Sequence, residues 1–216
     1  MPADVNRILP RAEQSIESIS ETVGALIREI ATEGEKAIRR QVEKFDGVKN
    51  PILRISKEQI DSAFEETDRS LVEAMQEAID RLRTSSQDSM PKITETRFGR
   101  DSKVLQRFSP VDSVAVYAPG GKAVYPSSVI MNVVPAQVAG VKRIALFSPS
   151  QKDGLPAKQV LAAARLLEIE EIYAIGGVGA VAAAAYGVDS LDMDPFRMFT
   201  GPGNIYLAAG KRALRG

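Results

Sequence analysis

The chain contains no histidine, no cysteine and no tryptophan among its 216 residues. Without cysteine it has no disulfide, no thiolate nucleophile and no sulfur ligand for a metal. Without histidine it lacks the commonest general base and the commonest nitrogen ligand for zinc. Ser127 and Ser128 stand beside a proline at a helix start, but no imidazole can activate either as a nucleophile, which excludes a serine hydrolase of the usual form. Both serines read as helix N-caps. An excess of charge of one sign is also missing. The 28 basic and 28 acidic residues are mixed along the chain and sum to zero, so there is no cationic footprint for nucleic acid or an anionic membrane. No apolar run approaches the ~20 residues that span a bilayer. The opening Met1-Pro2-Ala3-Asp4 lacks the basic start and apolar core of a secretion signal. These absences lead us to expect a soluble, cytoplasmic protein that binds neither nucleic acid nor membrane.

Hydrophobic residues make up 44% of the chain, enough for a substantial core. The first part is predicted to be helical. Ile16, Ile19, Val23, Leu26, Ile27 and Ile30 fall at spacings of three and four, one stripe of a helix over 15–30. A second helix should run from near Glu33 to Phe45 and end at Asp46-Gly47, where glycine can take a left-handed cap. Ser56 with Gln59 reads as a capping box ahead of Ile60, Ala63 and Phe64, and Leu71 to Leu82 as a further amphipathic helix. From Lys92 to Phe108 apolar and polar residues alternate loosely around Gly99-Arg100-Asp101-Ser102, as in a hairpin.

From Val114 onward one unit repeats four times: a short apolar run, a Gly/Pro-rich loop, then a helix rich in small residues. The strands are 114–117, 144–147, 172–175 and 198–199, and the helices 127–139, 156–167, 178–186 and 204–214. Pro126 and Pro156 suit helix starts, while Pro135 should kink or interrupt its helix. The expected fold is α/β, an incomplete Rossmann-like parallel sheet with flanking helices, preceded by a helical region and a β-hairpin. Residues 1–90 form the helical region, 91–112 the hairpin bridge and 113–216 the Rossmann-like domain.

The loops at the carboxyl ends of the strands are the place to look for chemistry. Gly177, Gly179 and Ala182 fit G-x-G-x-x-A between a strand and a helix. That spacing serves either to hold a pyrophosphate on backbone N–H groups or to let helix and strand pack closely. Gly201-Pro202-Gly203-Asn204 is either an amide donor at a helix start or a tight turn with Asn204 as N-cap. Lys122, beside Pro119-Gly120-Gly121, could meet a phosphate, though a lone lysine is more often a solvated charge. Asp189, Asp192 and Asp194 read as loop charge, and Tyr125 and Tyr186 as packing residues at helix ends.

The run from Val116-Tyr117-Ala118-Pro119-Gly120-Gly121 to Met131-Asn132, followed by Pro135-Ala136-Gln137-Val138-Ala139-Gly140-Val141, resembles the signature of histidinol dehydrogenase. Gly176-Gly177, Gly201-Pro202-Gly203-Asn204-Ile205-Tyr206 and Phe45-Asp46-Gly47-Val48 continue the likeness over nearly the whole chain, which stops about where a typical member is midway. That family oxidises L-histidinol to L-histidine, in histidine biosynthesis, with NAD and a zinc site, usually as a homodimer. Its zinc ligands and its acid/base pair lie in the half without a counterpart here. The resemblance implies that Tyr117 and Asn204 contact NAD, with Gly120, Gly121, Gly177 and Gly179 in the loops around it. Where the family has glutamine in Gly-Gly-Ala-Gln-Ala, this chain has Gly179; where it has Phe-His-x-x-Gln, Ser85, Ser86 and Ser89 stand. No catalytic residue and no metal ligand is assigned. We expect a half-length relative that keeps an NAD-type domain, does no chemistry alone, and acts in ligand binding, regulation or assembly. It would work as a homodimer or beside a full-length or C-terminal-half relative. The alternative is the cofactor half of a split NAD- and zinc-dependent L-histidinol dehydrogenase.

Overall fold

The structure, a computed structural model, describes residues 16–120 and 124–215. The helical stripe predicted near the N-terminus lies in α1, Ile16–Glu33, with Ile19, Val23, Ile27 and Ile30 buried. Gly34, at φ 55, turns the chain into α2, Glu35–Asp46, which ends at Gly47 in the left-handed conformation. α3, Lys57–Glu65, carries the capping box in full: the Gln59 N–H donates to Ser56 Oγ, and the Ser56 N–H to Gln59 Oε1. α4, Arg69–Asp88, starts at Asp68, whose carboxylate accepts from the Ser70 N–H.

A two-stranded antiparallel ribbon follows, β1, Thr94–Phe98, against β2, Ser102–Gln106. Both strands are exposed at every position. The chain then enters a four-stranded parallel sheet: β3, Ser113–Tyr117; β4, Arg143–Phe147; β5, Ile172–Tyr173; and β6, Met198–Thr200, in the order β5-β4-β3-β6. Between the strands run α5, Pro126–Ala139; α6, Lys158–Leu166; and α7, Gly177–Tyr186; α8, Ile205–Ala213, follows β6.

Parallel strands covered on both faces need apolar residues at every position, and β3 is buried along its whole length. Its alternation feeds two cores. Ala115, Tyr117, Ala145, Phe147, Tyr173 and Ile175 face α1, α2, α7 and α8. Val114, Val116, Leu146, Ile172 and Ala174 face α3, α4, α5 and α6. Each core therefore mixes side chains from before and after the hairpin. Fully buried anchors such as Ile38, Ile60 and Leu161 each contribute about 1.5–3 kcal/mol by leaving water.

Several local expectations need correction. α5 is not interrupted at Pro135; the carbonyl four residues back belongs to Met131, which is 66% exposed, so its lost partner is set against water rather than a buried interior. β5 is only two residues long, because the Ala174 N–H already turns to the Leu53 carbonyl at 2.8 Å. Pro156 lies two residues ahead of its helix, which starts at Lys158. Ser127 and Ser128 cap nothing: Pro126 opens the helix and Tyr125 stands at its N-cap without a side-chain bond. Tyr125 and Tyr186 are exposed rather than packed, since each helix end where they sit faces outward.

Candidate functional site

The chain leaves β3 toward β4 and β5, then crosses the opposite face through α7 to reach β6 on the other side of β3. The order therefore reverses between β3 and β6. The loops after these two strands meet at the carboxyl edge, the side on which open α/β sheets take ligands. Gly201 passes close under Tyr117: a Cβ there would collide with the Tyr117 carbonyl oxygen, and φ is +122. Lys211, on α8, donates from Nζ to the Gly201 carbonyl at 2.7 Å and is held below its ordinary pKa by burial. Thr200 Oγ1 donates to Asn132 Oδ1 at 2.9 Å, tying β6 to α5.

Tyr117 ends β3 and is 6% exposed. Its ring lies 6.1 Å from that of Phe199. Its hydroxyl accepts the Gly177 N–H, at the first residue of α7, at 3.2 Å. The phenol's own proton has no acceptor among the described residues. Burial raises its pKa, opposed by the Gly177 N–H and reinforced by the Asp46 charge, so it remains a neutral donor at neutral pH. Behind it the loops interlock on Pro149: a Cβ on Gly120 would lie 2.5 Å from Pro149 Cγ, and one on Gly176 would lie 2.7 Å from Pro149 Cβ. Asp46, at the end of α2, accepts the Ser150 N–H at 3.3 Å. Burial raises its carboxyl pKa, with that bond pulling the other way. Ser150 Oγ is buried without a partner among the described residues.

The structure thus brings Tyr117, Gly177 and, through Pro149, Gly120 into one cluster. Asn204 stands at the start of α8, its Oδ1 accepting from the Tyr206 and Leu207 N–H groups at 3.1 and 3.2 Å. Its Nδ2 has no partner among the described residues. Gly179 points inward instead: its Cβ position lies 3.3 Å from Ile175 Cγ2 and 3.4 Å from Gln41 Oε1. Gly121 and Lys122 lie outside the described residues. Sequence reasoning passed over Asp46, Ser150 and Lys211 as site residues. Asp46 reads as a helix stop, and only the packing of segments 104 residues apart brings it to Ser150; Lys211 reaches Gly201 from the helix that follows it.

The cluster offers donors. The first-turn N–H groups of α7, at Val178 and Gly179, have no carbonyl four residues back within the helix. With the Tyr117 hydroxyl and Asn204 Nδ2 they suit phosphate and ribose oxygens rather than proton abstraction. The sequence has no histidine or cysteine, and among the described residues no group of three or more carboxylates is placed to hold a metal ion. Nor is any helix among the described residues long and apolar enough to cross a membrane.

The sequence profile of histidinol dehydrogenase matches residues 9–216. The chain belongs to the histidinol dehydrogenase family. It is 44% identical over 217 residues to a histidinol dehydrogenase of Thermobifida fusca, covering 100% of this chain and 49% of that one. With a histidinol dehydrogenase of Leifsonia xyli subsp. xyli it shares 43% over 212 residues, 97% of this chain and 49% of the relative. The crystal structure of histidinol dehydrogenase from Elizabethkingia anophelis superposes with a TM-score of 0.91 at 26% identity, over 99% of this chain and 49% of that one. The chain therefore spans about half the length of the histidinol dehydrogenases it matches. Within that family pattern, the glycine at 179 has a local consequence: a longer side chain there would press on Gln41 and Ile30.

Proposed function

We propose that this chain is the dinucleotide-holding half of a histidinol dehydrogenase-type site and carries out no hydride transfer alone. The observation that carries the reading is the Tyr117 hydroxyl held on the Gly177 N–H at the head of α7, at the carboxyl edge where the strand order reverses between β3 and β6. NAD would be held by its oxygens. The α7 N-terminus and the loop at Gly120 suit the pyrophosphate, while Tyr117 and Asn204 donate to the sugars or the linking oxygens. Bound NAD supplies a hydride acceptor; the chain's own residues position it and keep water from one side.

Oxidising an alcohol also needs a group to take the hydroxyl proton and one to polarise the oxygen. Histidine and cysteine are absent, and Lys211 is spent on the Gly201 carbonyl. On this reading those groups come from a second half of the site. Lys122 beside the glycine loop is a secondary candidate for a phosphate contact.

A ligand that binds only the folded chain raises its melting temperature by mass action. NAD at millimolar concentration should raise that of this chain, and less so that of Asn204→Ala. No NADH should form with L-histidinol, NAD and zinc. An unchanged melting temperature, or steady NADH production, would refute the reading.

A further inference from the structure

The glycine pattern at the head of α7 is incomplete as a dinucleotide fingerprint. Such a pattern is ordinarily followed by an acidic residue at the end of the next strand, whose carboxylate receives a ribose hydroxyl. Here the next strand, β6, ends at Thr200, which donates to Asn132 Oδ1 instead.

A carboxylate arrives from elsewhere in the chain. Asp46 is the last residue of α2, and Ser150, in the loop after β4, donates its N–H to Asp46 Oδ2 at 3.3 Å. The two segments stay together beyond that bond: a Cβ on Gly154 would stand 3.6 Å from Val48 Cγ1. Asp46 is thereby fixed beside Pro149, on which the loops at Gly120 and Gly176 close. Its charge is near enough to Tyr117 to help raise the phenol's pKa.

Three features set this carboxylate apart from a solvated surface charge. It stands at a helix C-terminus, where the dipole disfavours an anion. It is half-buried; burial rather than a cation dominates its own pKa, with the Ser150 N–H as the opposing influence. Ser150 beside it is 7% exposed, and its Oγ has no hydrogen-bond partner among the described residues. A carboxylate offers about four acceptor sites, so one long N–H bond leaves most of this one's capacity open. Ligand hydroxyls are the donors that would use it, whereas a phosphate there would be repelled.

We propose that Asp46 receives a hydroxyl of the adenosine ribose of NAD and selects against a dinucleotide that carries a 2′-phosphate on that ribose. Asp46 meets the loop after β4, on the far side of β3 from the reversal in strand order and from Asn204, which assigns it the adenosine end rather than the reacting one. The proposal rests on the reading of this chain as a dinucleotide-holding half.

The purified chain is titrated calorimetrically with NAD and with NADP, and so is Asp46→Asn, which keeps an oxygen for the Ser150 N–H. We expect the parent to bind NAD roughly tenfold or more tightly than NADP. The variant should lose about tenfold in NAD affinity and bind NADP as well as the parent or better, so that the preference disappears. The parent's preference is by itself a test should the variant fail to fold. Equal affinity of the parent for the two nucleotides, or a variant that keeps the parent's preference, would overturn the proposal and leave NAD binding intact. Binding of neither nucleotide would overturn it together with the reading on which it rests.

Discussion

At Gly201 one hydrogen atom decides whether the loop after β6 can pack against the end of β3. Any Cβ there meets the Tyr117 carbonyl, and the backbone sits in a region L side chains avoid. Gly201→Ala should lower stability by about 2 kcal/mol or more, read as a fall in denaturant midpoint. A midpoint equal to the parent's would contradict the close approach. Asn204→Ala removes the acceptor of two first-turn N–H groups and should cost about 1 kcal/mol, checked in the same way.

Asp46 makes a pH prediction of definite sign. Burial raises its pKa in the folded state, so the folded form binds the proton more tightly than the unfolded chain. Its contribution is most favourable below the unfolded value and is lost as pH rises through the folded one. Asp46→Asn keeps an oxygen for the Ser150 N–H without the buried charge. Denaturation of both proteins at acid and neutral pH should show the variant gaining on the parent as pH rises; the opposite trend would show that the carboxylate is stabilised by something else.

Asn204 was legible as an N-cap because Gly-Pro-Gly-Asn ahead of a helix is a local pattern, whereas Tyr117 entered the candidate site only through the family likeness. Asp46 and Ser150 were not legible, since they meet across 104 residues and neither sequence neighbourhood hints at the other. Gly179 was legible only as a spacing. The packing of α7 against Gln41 and Ile30 turns it toward the interior, where a small residue is required for closeness.

Among the elements, those with strong periodicity were read well. The α1 stripe, the α3 capping box, the α2 stop at Gly47 and the hairpin turn all follow from local chemistry. The failures were tertiary: β5 is cut short by residues 53–55, and Pro135 is absorbed in a helix whose outer side faces water. The ribbon β1–β2 is the least supported element. Its ten residues are exposed and its close contacts are between its own strands. A two-stranded ribbon without cover is marginal in water. Its amides should exchange faster than those of β3 and β4 by several orders of magnitude, measured by mass spectrometry; equal protection would mean that the ribbon is already covered in the free chain.

For the whole molecule, the sheet order places the Gly/Pro loops on one edge, and four helices pack against each face. The sequence's repeated strand-loop-helix units made the sheet foreseeable, but the order β5-β4-β3-β6 follows from how the helices are shared between faces. What the chain holds is a set of donors; what its composition lacks is histidine and cysteine. The central claim is that this half binds NAD through those donors. Calorimetric titration of the purified chain with NAD, beside Tyr117→Phe, tests it most directly. The variant keeps the ring against Phe199 but removes the hydroxyl. We expect saturable one-to-one binding, weakened about tenfold in the variant by the loss of a hydrogen bond worth roughly 1.5 kcal/mol. No heat at millimolar NAD, or equal affinity in the two proteins, would contradict it.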